Sequence, residues 1–291
     1  MTGIENKGKA GCGTLYLCAT PIGNLGDITA RVLDTLAAVD VIAAEDTRNT
    51  RHLLTHFDIH TKLTSYHEHN RVEKAGELIS LLESGQDIAL VTDAGTPAIS
   101  DPGEVLVDLC HEAGIPVTSL PGPSAVITAL SLSGISARRF AFEGFLPGRE
   151  DKKTRRTILE ALKEEPRTIV LYEAPHHLRA LLADLSEALG GGRRLAVCRE
   201  LTKRFEEVTR TTLSEADAFY RDNEPRGEYV LVIEGIGLEG QRQRAQKAWE
   251  EMSVADHVAH YEAQGLDRKE AMKCAARDRG ISKSEVYKEL L

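Results

Sequence analysis

The sequence is poor in aromatic residues, in paired cysteines and in long apolar runs. Aromatic residues make up 5% of the 291-residue chain, less than a protein that grips nucleic acid mainly by base stacking usually carries. The five cysteines include no C-x-x-C pair, which argues against a zinc knuckle or a disulfide framework and indicates reduced thiols in a cytoplasmic protein. No stretch approaches the roughly 20 apolar residues of a membrane span, so we expect no membrane partner.

The chain also has fewer basic than acidic residues. Its 36 Lys and Arg against 45 Asp and Glu give a formal net charge of −9, which argues against a dedicated nucleic-acid coat protein. Binding fields are set by local patches, however, so the total does not exclude a basic groove. Residues 138–156 carry seven basic against three acidic side chains. A contact with RNA phosphates and a solvated helix start explain this strip equally well.

Length and a repeating pattern predict two α/β domains. From Thr14, short apolar runs alternate with Gly- or Pro-containing turns and helical stretches, which is typical of a parallel sheet covered on both faces. After Arg138 a second rhythm contains the runs RRLAVCRE and EEVTRTTL, separated only by residues 201–205. So short a connection predicts an antiparallel hairpin and hence a mixed sheet.

The strand signal ends at Gly237, and the remaining residues have a helical pattern. Ser253, Asp267 and Ser282 stand where N-caps would stand. The end of the chain resembles a helix-turn-helix, and a dimerising helical appendage is the alternative interpretation. We therefore predict a disordered lead (1–12), a parallel-sheet α/β domain (13–122), a second α/β domain with a mixed sheet (123–237) and a helical C-terminal domain (238–291).

Three loops rich in Gly, Pro, Ala and Thr follow predicted strands, at 19–27, 92–103 and 120–125. Ligands of open α/β sheets bind at the carboxyl ends of the strands, and small residues let a ligand approach the backbone closely. None of the three is a G-x-G-x-x-G or a G-x-x-x-x-G-K-[ST] loop, so a dinucleotide or P-loop nucleotide site is not supported.

Several motifs in and around these loops are specific. They are LYLCATPIGNLGDIT, AAEDTRNTRHLL, VTDAGTPAISDPG, LPGPSAVITAL, FEGFLP, LYEAPHHL, CRELTKRFEE and RGEYVLVIEG. Together they resemble the tetrapyrrole-methylase-like (class III) family of S-adenosylmethionine-dependent methyltransferases. Within it they are most similar to the bacterial group that methylates the 2′-oxygen of a cytidine in 16S ribosomal RNA, at the decoding centre. The porphyrin-methylating members carry G-G-D-P where this chain has A-G-T-P, which speaks against a tetrapyrrole substrate.

The resemblance covers roughly residues 13–291 and implies a homodimer that acts on 16S rRNA or the 30S subunit. It implies that S-adenosylmethionine lies between the two α/β domains. The cofactor-binding residues that it implies are Pro21, Ala94, Gly95, Thr96, Ile99, Ser124, Ala125, Tyr172, Glu173, Gly227, Glu228 and Tyr229. We expect RNA contacts from Arg48, His67, Arg149, Lys152, Lys153, Arg155 and Arg156.

Methylation of a ribose hydroxyl is helped by a base that removes its proton. The candidates are Glu45, Asp46, His67, Glu200 and Lys203, and the sequence does not choose among them. The alternative interpretation of Asp46 is a helix N-cap, and that of Glu200 with Lys203 is an exposed salt bridge. No third ligand accompanies His67 and its neighbouring histidine, so we expect no metal. A tetrapyrrole or other small-molecule methyltransferase, or a non-catalytic RNA-binding assembly module, are the alternative functions.

Overall fold

The first sheet contains five parallel strands, as the sequence pattern predicts. A computed structural model describes residues 11–291, apart from the side chains at 245, 247, 248 and 250; residues 1–10 of the predicted lead lie outside it. The strands are β1 (Leu15–Cys18), β2 (Val41–Ala44), β3 (Lys62–Ser65), β4 (Ile88–Val91) and β5 (Val117–Leu120). Their order is β3-β2-β4-β1-β5, and every neighbouring pair is parallel.

Helices cover both faces of this sheet, so β2 and β4 are buried along their whole length. The helices are α1 (Ala30–Ala38), α2 (Thr47–His56), α3 (Arg71–Glu83) and α4 (Glu104–Ala113). Leu78 and Leu106 pack on one face, and Leu36 and Leu54 pack on the other. The loops after β1, β4 and β5 therefore emerge together at one edge.

The second sheet is mixed. Its strands are β6 (Phe140–Gly144), β7 (Thr168–Glu173), β8 (Arg194–Arg199), β9 (Glu207–Thr212) and β10 (Tyr229–Ile233), in the order β6-β7-β10-β8-β9. Only β6 and β7 pair in parallel, and the predicted antiparallel hairpin of β8 and β9 is confirmed.

Four helices pack on the second sheet. They are α5 (Ala125–Ser133), α6 (Lys152–Lys163), α7 (Pro175–Leu189) and α8 (Leu213–Asp222). Val126 and Leu130 of α5 join the buried cluster on one face, whereas Leu181 and Leu185 of α7 belong to the core on the other. Because α5 begins directly after the loop that follows β5, that loop carries the chain from the first sheet to the second.

Four further helices complete the chain: α9 (Gly237–Glu251), α10 (Val254–Ala263), α11 (Arg268–Arg279) and α12 (Lys283–Glu289). Ser253, Asp267 and Ser282 are the N-caps of α10, α11 and α12, as predicted. These helices share a small core of their own. Arg244 of α9 donates a 2.9 Å hydrogen bond to the Lys163 carbonyl, which attaches them to α6. Among the described residues, no helix is long and apolar enough to cross a membrane.

Candidate cofactor cleft and catalytic residues

A cleft lies between the two sheets, above the carboxyl ends of β1, β4 and β5. Its volume of about 430 Å³ falls within the roughly 300–1,000 Å³ of small-molecule sites. Ten of the twelve residues predicted to hold the cofactor line it: Ala94, Gly95, Thr96, Ile99, Ser124, Ala125, Tyr172, Glu173, Glu228 and Tyr229. Loops that are distant in sequence and strands of the second sheet thus converge on one cavity.

The other two predicted cofactor residues lie beside the cleft. Pro21 lines a neighbouring pocket against α2. Gly227 has a φ of +80° and packs against the Glu200 side chain, where a Cβ atom would clash. The absence of a side chain at Gly227 allows the backbone to lie against Glu200. The next two residues, Glu228 and Tyr229, line the cavity.

The loop 92–103 is held by hydrogen bonds to the other two loops. Thr20 and Gly95 exchange backbone hydrogen bonds of 2.9 and 3.0 Å, and the Thr96 hydroxyl donates to the Pro123 carbonyl at 3.4 Å. Ala98 and Ser100 have φ values of +65° and +66°, a left-handed conformation that is costly for residues other than glycine. Strained backbone of this kind clusters at functional sites, where the surrounding structure enforces it.

Asp101 is a cleft carboxylate that the sequence motifs contained but did not single out. Its pKa is raised to about 6, chiefly by burial and also by the Glu45 and Asp93 carboxylates, while a hydrogen bond with Thr92 opposes them. The Thr92 hydroxyl donates a 2.8 Å hydrogen bond to Glu45 Oε2. Because a hydroxyl has a single proton, it cannot donate to both carboxylates at once. Asp101 therefore accepts a proton near neutral pH more readily than an ordinary aspartate.

Asp46, a predicted base, is instead the N-cap of α2. Its carboxylate accepts hydrogen bonds from the Arg48 guanidinium at 2.8 and 3.2 Å and from the Arg48 N–H at 2.7 Å. The side-chain hydrogen bond with Arg48 is the main reason that the pKa of Asp46 falls to about 2. So weak a base argues against proton removal by Asp46, and it engages the guanidinium that was expected to contact RNA.

Glu200 and Lys203 form an ion-pair network with Glu228. Lys203 Nζ lies 2.9 Å from Glu200 Oε1 and 2.7 Å from Glu228 Oε2. Desolvation lowers the pKa of Lys203, but its hydrogen bonds to the two carboxylates outweigh that effect and the net pKa is raised. Desolvation likewise raises the pKa of Glu200, yet hydrogen bonds from the Glu228 N–H and Lys203 lower it overall. Lys203 therefore stays an ammonium, and its aliphatic chain packs against Gly23 of the first loop.

The last predicted base, His67, follows the edge strand β3 and lines neither the cleft nor the pocket beside α2. Its Nδ1 is buried and has no hydrogen-bond partner in the described part of the chain. In that same part, no group of three or more His, Cys, Asp or Glu side chains is arranged to hold a metal ion.

The basic strip is partly neutralised by α7. Arg155 is buried, its Nε and Nη2 contact Asp184 Oδ2 at 2.9 and 2.8 Å, and its Nη1 donates to the Pro147 carbonyl. Arg149 pairs with the other Asp184 oxygen at 2.9 Å. This corrects the prediction for Arg155, which is a structural ion pair and not a phosphate contact. The other predicted RNA contacts on α6, Lys152, Lys153 and Arg156, are exposed.

Sequence reasoning also missed the apolar wall of the cleft. It consists of Ile22, Phe145, Leu201 and Val230, with the Phe145 ring packed edge-on against Tyr172 at 5.5 Å between centroids. Phe145 is 58% exposed, so its ring borders the open side of the cavity. FEGFLP, quoted above for the resemblance, was the only available signal for this residue.

The chain is similar to several named proteins. A family model described as "Tetrapyrrole (Corrin/Porphyrin) Methylases" matches residues 14–217. Proteins named ribosomal RNA small subunit methyltransferase I are 48% identical in Synechocystis sp. (94% of this chain, 96% of the relative) and 46% identical in Escherichia coli O157:H7 (96% and 95%).

Solved structures share the fold. A uroporphyrin-III-C-methyltransferase from Thermus thermophilus matches with a TM-score of 0.55 at 21% identity, over 79% of this chain and 98% of that one. A diphthine synthase matches with a TM-score of 0.59 at 11% identity, over 79% and 94%. The two proteins are named for different activities, so this likeness establishes the fold alone.

Proposed function

The chain belongs to the tetrapyrrole (corrin/porphyrin) methylase family, and from that premise we propose that it is an S-adenosylmethionine-dependent methyltransferase of small-subunit ribosomal RNA. We further propose that it methylates the 2′-oxygen of a cytidine in 16S rRNA, as a cytoplasmic homodimer. The observation that carries the substrate class is similarity along nearly the whole length of relatives named for that activity. The distant likeness to tetrapyrrole enzymes supports no such choice.

The cleft suits S-adenosylmethionine in size, shape and charge. Gly95, Ala94 and Ala125 leave the backbone accessible to the ligand's polar groups. The apolar wall of Ile22, Phe145, Leu201 and Val230 offers a surface for an adenine ring. Asp93, Glu173 and Glu228 bring carboxylates to a cavity that would receive a positively charged ligand.

When bound, S-adenosylmethionine supplies a methyl group on a positively charged sulfur. The transfer forms an O–CH₃ bond, breaks the S–CH₃ bond and releases the hydroxyl proton. Much of the rate enhancement comes from holding the acceptor oxygen in line, which the fixed loops of the cleft provide. A base is still needed for the proton.

Asp101 supplies that base better than any residue first considered. A pKa of about 6 leaves it mostly ionised yet ready to accept a proton at neutral pH. The neighbouring Thr92 and Glu45 side chains are held to each other by a 2.8 Å hydrogen bond. Burial raises the pKa of the facing Tyr172 phenol to about 12, so this group stays neutral and does not compete for the proton.

The test is methyl transfer from labelled S-adenosylmethionine, offered in parallel to 30S subunits, to deproteinised 16S rRNA and to a tetrapyrrole. Transfer to the subunits or the rRNA supports the proposal. Transfer to the tetrapyrrole alone would make the chain a small-molecule methyltransferase. RNA binding without any transfer would make it a non-catalytic assembly module.

A further inference from the structure

A second pocket adjoins the cofactor cleft, between the loop after β1 and α2. Its volume is about 380 Å³. The Thr20–Gly95 backbone bridge runs between the two cavities, and Asp93 lines both of them. No step of the proposed reaction described above uses this pocket. We call it the α2 pocket.

The walls of the α2 pocket combine apolar surface with polar side chains. Pro21, Leu25 and Leu53 provide the apolar surface, and Leu25 is 43% exposed. His52 and His56 lie one turn apart on the same face of α2, and Asn49 lies one turn before Leu53. A flat, polar-edged ring would meet apolar atoms on its face and hydrogen-bonding groups at its rim.

Asn49 is placed to read such an edge. Its Nδ2 donates a long, 3.4 Å hydrogen bond to Asp93 Oδ2, which directs the carboxamide toward the wall shared by the two cavities. None of the described residues hydrogen-bonds to its Oδ1. A carboxamide offers a donor and an acceptor side by side, the combination that matches the Watson–Crick edge of a base.

The charge on α2 itself suits a nucleic-acid backbone. α2 contains no acidic residue and carries Arg48 and Arg51. Arg48 is engaged by Asp46, whereas the exposed Arg51 guanidinium has no hydrogen bond or ion pair within the described residues. In the strip at 138–156, in contrast, Arg149 and Arg155 are both paired with Asp184 and are not free to contact phosphates.

We propose that the α2 pocket receives the pyrimidine nucleoside to be methylated, flipped out of the RNA, with Arg51 on an adjoining phosphate. This inference rests on the proposed function, since it names the acceptor subsite of that reaction. Enzymes that act on a single nucleotide of a structured nucleic acid take it out of the stack into such a pocket. A ribose at the mouth of the pocket, beside Asp93, would face the donor cleft and the Asp101 carboxylate that lines it.

A matched pair of substitutions on α2 tests this by turnover. Asn49→Trp fills the pocket, whereas Thr55→Trp places the same bulk on an exposed position of α2 that does not line it. We expect Asn49→Trp to keep its affinity for S-adenosylmethionine and to lose at least tenfold in kcat/KM for 30S subunits, while Thr55→Trp changes neither. An unchanged kcat/KM in Asn49→Trp overturns the proposal. So does a loss of cofactor affinity, because the pocket would then belong to the donor site.

A second measurement does not depend on turnover. Cytidine 5′-monophosphate, added with S-adenosylhomocysteine, should shift the imidazole resonances of His52 and His56 in the NMR spectrum but not those of the distant His111. Asn49→Trp should abolish the shift. If the wild-type resonances stay unmoved at millimolar nucleotide, the pocket is not a nucleoside site. If they move but the wild type methylates no RNA, the proposed function fails while the pocket assignment stands.

Discussion

Thr20 and Gly95 exchange two backbone hydrogen bonds, of 2.9 and 3.0 Å, and so join the loop after β1 to the loop after β4. This bridge forms the wall between the cofactor cleft and the α2 pocket. Gly95 has a φ of +83°, yet a Cβ atom there would meet Ile22 Cγ2 at an ordinary 3.5 Å. The backbone conformation, and not lack of space, is therefore what requires glycine.

Gly95→Ala should weaken cofactor binding. Left-handed backbone costs a residue with a Cβ atom about 1–2 kcal/mol, which the loop can relieve only by shifting the bridge. We expect the Kd for S-adenosylmethionine, measured by calorimetry, to rise roughly tenfold. Gly114→Ala is the control, because Gly114 has a φ of +69° with nothing within 4 Å and lies at the end of α4. Equal affinities of the two variants for S-adenosylmethionine would show that the Thr20–Gly95 bridge does not contribute to cofactor binding.

Asp101→Asn should slow methyl transfer without weakening cofactor binding. Loss of a general base costs about 10²–10⁴-fold in rate. In the wild type, the single-turnover rate should rise with pH through about 6, because Asp101 accepts the proton only once it has lost its own. That inflection should be missing from the variant's profile. A variant that loses cofactor affinity but keeps the inflection would make Asp101 a ligand contact instead.

Arg155→Met should destabilise the second α/β domain. The substitution leaves Asp184 without its main partner and the Pro147 carbonyl without its donor. Breaking a buried ion pair of this kind costs about 3 kcal/mol, to be measured by urea unfolding. Arg156→Met, one position along α6 and exposed, should change the free energy of unfolding by less than about 0.5 kcal/mol. Equal free energies of unfolding for the two variants would contradict the structural role of Arg155 and favour the original prediction of an RNA contact.

A chain that ends at Gly237 should fold and bind S-adenosylmethionine normally, because both sheets and the whole cleft precede that residue. The removed helices have their own core and caps, so they form a unit separate from the cleft. We expect this unit to dock the substrate. Methylation of 30S subunits should fall sharply. Full activity would refute docking, and aggregation or a changed oligomeric state would identify the tail as a structural or dimer-forming element.

Much of the fold follows from patterns that the chain carries locally. Apolar runs such as IALV at β4 become buried strands, and the short connection between β8 and β9 permits only a hairpin. The partners of charged groups do not follow in the same way. Arg155 and Asp184 meet because α6 and α7 pack together, which residue spacing does not encode. Likewise, only folding sets how far Asp101 is buried and which carboxylate accepts the hydrogen bond from the Thr92 hydroxyl.

The position of the transferred methyl group tests the proposed function most directly. 30S subunits are incubated with the protein and labelled S-adenosylmethionine, and their 16S rRNA is digested to nucleosides and analysed by mass spectrometry. We predict that the added methyl lies on the ribose of a cytidine and that Asp101→Asn reduces its yield. A methyl group on a base, or no methylation of the rRNA at any enzyme concentration, would contradict ribose methylation as the function of this chain.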